Sequence, residues 1–157
     1  MKENSNSRLK EKSEIKSRLT EEVLRSSRYK NKLTIILIEI DDFSDFKNEL
    51  EEKKLDYVMQ DFLELLIRNI REVDLIGKLK RNQYLIICPN TGIMGAKIAA
   101  QRIRKITEFT TFDDSVKLTI SAGVKEFIYE EADKLLKEAK KRLKIAKNKG
   151  KNRVVAI

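Results

Sequence analysis

Between Asp74 and Pro89 the sequence DLIGKLKRNQYLIICP runs from apolar to polar and back once, and this constrains the fold more than any other stretch of the chain. Leu75–Leu79 and Tyr84–Cys88 are runs of strand length, and the polar residues Lys80–Gln83 between them read as the turn of a tight β-hairpin. Leu33–Ile38 supplies a further strand. Leu-Thr-Ile-Ile-Leu-Ile is too continuously apolar for a strand with one wet face, so it belongs at the centre of a sheet covered on both sides.

Elements of alternating type surround these strands. The apolar spacing predicts an N-terminal helix with a frayed start on Leu9, Ile15, Leu19, Val23 and Leu24, then strand 33–41, helices 43–52 and 55–71, and strands 75–80 and 83–88. Helix 92–108, strand 116–124, helix 130–148 and strand 152–156 follow. The order α-β-α-α-β-β-α-β-α-β makes an α/β domain with a central sheet flanked by helices. Single Gly and Pro residues punctuate it, without repeats or a low-complexity linker. At 157 residues and 41% hydrophobic content, the chain has the size of one domain with its own core.

Composition removes several classes of function. Histidine is absent, which takes away the commonest general base and transition-metal ligand. Cys88 is the single cysteine, so there is neither a disulfide nor a multi-cysteine metal site, and its strand position reads as a small buried hydrophobe. No apolar run approaches the roughly 20 residues that cross a bilayer. Met1–Lys32 is polar throughout, unlike a signal peptide, so the expected setting is cytoplasmic, away from membranes. The net charge of +9 invites a nucleic-acid partner, yet the excess sits at residues 1–32 and 134–153 and reads as solvated helix surface. No helix-turn-helix, zinc knuckle or aromatic stacking platform accompanies it, so nucleic acid is not an expected partner.

Six separated stretches, in order from residue 28 to 154, resemble the GGDEF family, the diguanylate cyclases. Arg28-Tyr29, the strand from Leu33, and then Glu39, Asp41 and Phe43 are similar to the family's R-Y and l-l-l-i-D-x-D-x-F. Asp56–Met59 is similar to its G-D-x-v-L helix start, Arg102-Ile103-Arg104 to its e-R-I-R helix, and Ser121-Ala122-Gly123-Val124 to its S-I-G-v strand. Leu143, Ala146, Lys147, Gly150, Lys151, Asn152, Arg153 and Val154 resemble the closing L-Y-x-A-K-x-x-G-r-N-r-v, with Lys144 in place of the tyrosine. The hairpin shares the family layout, D-L-V-A-R-Y and then G-G-(D/E)-E-F, but its five tip positions are Lys80, Arg81, Asn82, Gln83 and Tyr84. Asn4–Lys12 falls where the family has D-x-L-T-x-L-x-N-R, and only Leu9 is kept. The resemblance implies a palm-like nucleotidyl-cyclase fold with a five-stranded, mostly antiparallel sheet, in which residues 29–157 are the domain and 1–28 a helical lead-in.

Family members join two GTP molecules into cyclic di-GMP, with Mg²⁺ held by carboxylates beside the reacting phosphate. Of the matched positions, Glu39 is one methylene longer than the usual aspartate and Asp41 is kept, but Asn82 and Gln83 put neutral amides where the tip acids stand. Lys80 and Arg81 fill the space that two glycines leave open to phosphates and ribose. Lys47 replaces the guanine-reading asparagine, whereas its partner Asp56 and the phosphate-binding Lys147 are retained. The expectation is a domain with no catalytic residues, no cofactor and no effective Mg²⁺ site, in which Glu39, Asp41, Lys47, Asp56 and Lys147 line a residual nucleotide cleft.

Ahead of the tip, Arg71-Glu72-Val73-Asp74 matches the R-x-x-D motif that many family members use as an inhibitory site for cyclic di-GMP, and Arg102 matches that site's third contributor. Arg71 is expected to end the second helix and Asp74 to begin the next strand. A guanidinium offers parallel donors to guanine O6 and N7, a carboxylate accepts from N1 and N2, and the fixed charge of Arg102 suits a phosphate. Taken alone the pair also fits a plain surface ion pair contributing less than about 1 kcal/mol, but three residues in register with the family favour binding. The leading expectation is a catalytically inactive receptor for cyclic di-GMP. A ligand-independent interaction scaffold and a non-hydrolysing GTP sensor are the alternatives, and an active cyclase ranks last. The implied partners are cyclic di-GMP, an upstream sensor or downstream effector domain, and a second copy pairing through a weak coiled-coil seam of Ile15, Leu19 and Leu24.

Overall fold

The computed structural model describes residues 7–157, so Asn4 and the first positions of the lead-in lie outside the described residues. Strands β1 (Leu9–Lys10), β2 (Leu33–Ile40), β3 (Leu75–Lys80), β4 (Gln83–Pro89), β7 (Ile120–Glu126) and β8 (Arg153–Val155) form one mixed sheet in the order β1-β3-β4-β2-β7-β8. Strands β5 (Thr111–Phe112) and β6 (Val116–Lys117) make a small hairpin of their own. The helices are α1 (Lys12–Tyr29), α2 (Phe43–Glu49), α3 (Glu52–Arg68), α4 (Ile93–Phe109) and α5 (Ala132–Asn148).

β2 is buried along its whole length and runs antiparallel to both β4 and β7, as its two-sided apolar pattern requires. Successive side chains leave a strand on opposite faces, so β2 feeds two cores. Ile36 and Ile38 pack with Phe62 and Leu66 of α3 and with Ala100 and Ile103 of α4. Ile35 and Leu37 pack on the other face with Ile15 and Leu19 of α1 and with Leu135 and Ala139 of α5. Two glycines let that second layer lie close to the sheet. A Cβ on Gly123 would stand 2.3 Å from the Ala139 carbonyl oxygen, and one on Gly77 would stand 2.3 Å from Ile15 Cβ.

The observed sheet departs from the five expected strands in two places. Leu9–Lys10 adds a sixth strand, parallel to Ile76 and Gly77, where a helical start was expected. Leu9 fits either pattern, and long-range pairing decides between them. The expected strand 116–124 is two pieces: Val116–Lys117 folds back on Thr111–Phe112 through Asp113 and Asp114, both at positive φ, and β7 begins at Ile120. α3 also stops at Arg68, where Asn69 donates its side-chain amide to the Leu65 carbonyl and its backbone N–H to that of Leu66. Arg71 therefore lies in the loop beyond the helix, a correction to its expected place at the helix end. The seam expected of Ile15, Leu19 and Leu24 is not presented either. Ile15 and Leu19 are spent on the domain's own core, and only Leu24, 65% exposed, faces out. Among the described residues no helix is long and apolar enough to cross a membrane.

Candidate functional site

The β3–β4 hairpin carries the two sets of sequence-selected residues at opposite ends. With six residues in β3 and about 3.3 Å of rise per residue, the ends stand about 20 Å apart.

At the tip end, Glu39 lies opposite Gln83 in the β2–β4 register, and the Gln83 side-chain amide donates to Glu39 Oε1 at 3.0 Å. Lys147 of α5 pairs with the other oxygen, Oε2. Asp41, 4% exposed, is held by three donors: Ser121 Oγ to Oδ1 at 2.7 Å, Thr119 Oγ1 to Oδ2 at 2.7 Å, and the Asn152 N–H to Oδ2 at 3.0 Å. One buried carboxylate thus ties β2 to β7 and to the turn leading into β8. Lys151 pairs with Asp42, and that hydrogen bond raises the pKa of its ammonium against a smaller opposing effect of desolvation. Glu39, Asp41, Lys47, Asn82, Lys147 and Lys151 line a cavity of about 420 Å³.

Asp56 does not join them. Arg81 reaches away from the cavity and donates to Glu52 Oε1 at 3.0 Å and Asp56 Oδ1 at 3.2 Å, so Asp56 lines a separate cavity of about 250 Å³ with Arg81 and Tyr84. The expected residual cleft is therefore split, with Lys47 and Asp56 in different hollows. Lys80 is exposed and lines neither; its charge is felt at Lys140, whose pKa is lowered first by burial and then by Lys16, Lys12 and Lys80. Tyr84 is core. Its ring sits 5.7 Å from that of Phe62, and burial pushes its phenol far up, against a smaller pull from Arg81.

At the other end, Arg71, Asp74 and Arg102 meet in one cavity of about 330 Å³, with Asn69, Cys88 and Thr91 also in its wall. Asp74, 6% exposed, accepts the Arg71 backbone N–H on Oδ2 at 2.8 Å and the Arg71 guanidinium on Oδ1 at 3.1 Å. Arg71 Nη2 also donates to the Pro89 carbonyl at 2.8 Å and to the Thr91 hydroxyl. Arg102 donates to the Asn69 carbonyl at 2.8 Å, which fastens α4 to the end of α3 behind the cavity. The Cys88 thiol is pushed far up, by burial first and then by the Asp74 carboxylate, with Arg71 opposing. Sequence reasoning missed Thr91, Pro89 and Arg8, whose guanidinium holds the carbonyls of this loop. Backbone acceptors leave no signature in a sequence.

A family model described as "Diguanylate cyclase, GGDEF domain" matches residues 5–153, nearly the whole chain. The chain belongs to the GGDEF family. Among curated proteins it is 27% identical over 134 residues to diguanylate cyclase A of Treponema denticola, covering 82% of this chain and 36% of that protein. Against the response regulator PleD of Caulobacter vibrioides it is 29% identical over 130 residues, covering 78% of this chain and 29% of that protein. The GGDEF domain thus spans about a third of the length of the curated relatives it matches. The active GGEEF domain of a diguanylate cyclase from Vibrio cholerae superposes with a TM-score of 0.89 at 21% identity, covering 94% of this chain and 97% of that one. That likeness confirms the α/β fold.

Proposed function

We propose that this GGDEF domain is a receptor for cyclic di-GMP that does not synthesise it. The observation that carries the reading is the convergence of Arg71, Asp74 and Arg102 on one cavity, remote from the altered hairpin tip. Guanine presents acceptors on one edge and donors on another, and a guanidinium beside a carboxylate complements both. Among related structures, the GGDEF domain of DgcB from Caulobacter crescentus is described in complex with c-di-GMP; its TM-score is 0.87 at 18% identity, covering 94% of this chain and 88% of that one. The occupied oxygens of the tip end support the loss of catalysis. Mg²⁺ seeks free anionic oxygens, but Lys147 and Gln83 stand on Glu39 and three donors stand on Asp41. The donor set does not fit the ion.

Two measurements on the purified protein test the two halves. Calorimetric titration with cyclic di-GMP is expected to give micromolar or tighter binding that weakens at least tenfold in Arg71→Ala and Asp74→Ala. Incubation with GTP and Mg²⁺ is expected to yield no cyclic di-GMP by chromatography. Unchanged affinity in both variants, or no binding heat at all, defeats the receptor; formation of product defeats the inactive tip.

One observation favours the scaffold reading as a second choice. The outer face of α4 exposes Met94, Ile98 and Phe109 beside a groove of about 610 Å³ with Arg102 at its edge. Partner binding that persists without nucleotide and in Arg71→Ala would support it.

A further inference from the structure

We propose that Arg8 is a positioning residue for the Arg71–Asp74 turn, and that through it the docking of β1 and the occupancy of the ligand cavity favour each other; this deepens, and rests on, the receptor reading above. A single guanidinium nitrogen, Arg8 Nη2, lies 3.0 Å from the Arg71 carbonyl oxygen, 2.9 Å from that of Asp74 and 3.5 Å from that of Glu72. Three carbonyls of one turn aim at one cation. Charge-assisted bonds of this kind are about twice as strong as neutral ones, and here they clamp the turn from its backbone side.

The side-chain clamp is complementary. Asp74 holds both the N–H and the guanidinium of Arg71, and the Asp74 N–H donates to the Arg71 carbonyl at 3.0 Å. The loop that supplies two of the three ligand groups is thus closed on itself by Asp74 and fastened to the rest of the domain by Arg8.

The residues after Arg8 explain why this fastening can move. Leu9 and Lys10 form only a two-residue parallel pairing, with Ile76 and Gly77, on the sheet edge formed by β3. Strands in folded proteins run to about five or six residues, and short edge pairings open at little cost. Arg8 anchors β1 to the turn, so undocking β1 releases three turn carbonyls, and freezing the turn favours docked β1. A cavity ligand that needs Arg71 and Asp74 in place draws on the same equilibrium. Linkage makes the effect reciprocal.

The test combines hydrogen exchange with calorimetry on the full chain, using cyclic di-GMP as the probe and Arg8→Ala, Arg8→Lys and, as a control for loss of a distant positive charge, Lys137→Ala. Without ligand, Arg8→Ala is expected to speed exchange of the Asp74 amide at least tenfold while β2 amides stay protected. With ligand, exchange at Leu9, Lys10, Ile76 and Gly77 should slow in the unmodified protein. Affinity should fall about tenfold in Arg8→Ala, recover in part in Arg8→Lys and stay unchanged in Lys137→Ala. A purely structural Arg8 would not make β1 respond to ligand. Binding by the unmodified protein with equal affinity in Arg8→Ala, or with β1 exchange indifferent to ligand, overturns the inference and leaves the receptor standing. No binding by the unmodified protein defeats the receptor reading and with it the coupling, while the ligand-free exchange of Asp74 still reports separately whether Arg8 clamps the turn.

Discussion

The two ends of the β3–β4 hairpin are built from the same residue types to opposite effect. At the tip, the two matched acids of the cavity are closed by their neighbours: Glu39 by Lys147 and Gln83, and Asp41 by Thr119, Ser121 and Asn152. At the far end Arg71 remains 52% exposed, and its side-chain bonds among the described residues all use Nη2, although a guanidinium carries five N–H donors. A charge whose capacity is spent internally is part of the scaffold. One with donors in reserve, held by a buried partner, is equipped to meet a ligand.

The largest expected effect breaks the open end. Asp74→Ala removes the acceptor of the Arg71 N–H and guanidinium together with the carboxylate proposed to read guanine, so cyclic di-GMP affinity should fall between about tenfold and about 100-fold, such a pair being worth roughly 1–3 kcal/mol. Isothermal titration reads it, and a loss below tenfold would mean that the cavity does not recognise its ligand through this turn. Next comes the closed end. Gln83→Glu exchanges a hydrogen bond 3.0 Å from Glu39 for a like charge, which should cost about 2 kcal/mol at pH 7 even with Lys147 nearby. Repulsion raises the pKa of the carboxyl pair above its unfolded value. The variant's stability is therefore retained below the ordinary carboxylate range and lost as pH rises through the raised value. Thermal unfolding at pH 4 and pH 7 checks this, with Mg²⁺ expected to restore part of the loss at pH 7. An equal loss at both pH values would point to packing instead of charge.

The parts of this arrangement that sequence reveals are those carried by side-chain identity at short range or by strong periodicity. β2 is legible because apolar residues fill both of its faces, and Arg71 with Asp74 because Arg-x-x-Asp resembles a motif of the family. The break at Thr119 is not legible. There the chain gives up regular pairing so that the Thr119 hydroxyl can reach Asp41, 78 residues away. The separation of Asp56 from Lys47 depends on which way Arg81 swings, and two acids on α3 decide that. Arg8 is the extreme case, since all its partners in the turn are carbonyls and any sequence would supply them.

A milder change at the closed end asks whether the two ends are independent. Asp41→Asn keeps the shape and one acceptor oxygen for Thr119 and the Asn152 N–H, while the Ser121 hydroxyl can turn to accept from the new amide, so the cost should be about 1 kcal/mol. Cyclic di-GMP affinity should not change. A parallel fall in affinity would show that the sheet transmits strain from tip to cavity.

The smallest effect concerns Cys88, whose side chain lines the proposed ligand cavity yet is buried. Burial, reinforced by the Asp74 carboxylate and opposed by Arg71, drives the thiol pKa far above its ordinary value, so the thiolate that reacts with iodoacetamide is scarce at pH 8. Labelling of the folded protein should be much slower than that of a free thiol and should keep rising about tenfold per pH unit up to pH 10, where an ordinary cysteine has levelled off. Cyclic di-GMP should slow it severalfold by holding the turn closed, whereas Asp74→Ala should speed it by removing the neighbouring charge and loosening the turn together. A plateau near pH 9 in the unliganded protein would mean that Cys88 meets solvent in the resting fold. The cavity would then be looser than the Arg71 and Arg8 clamps require, and the contrast between a closed tip and an open but ordered ligand end would fail at the ligand end.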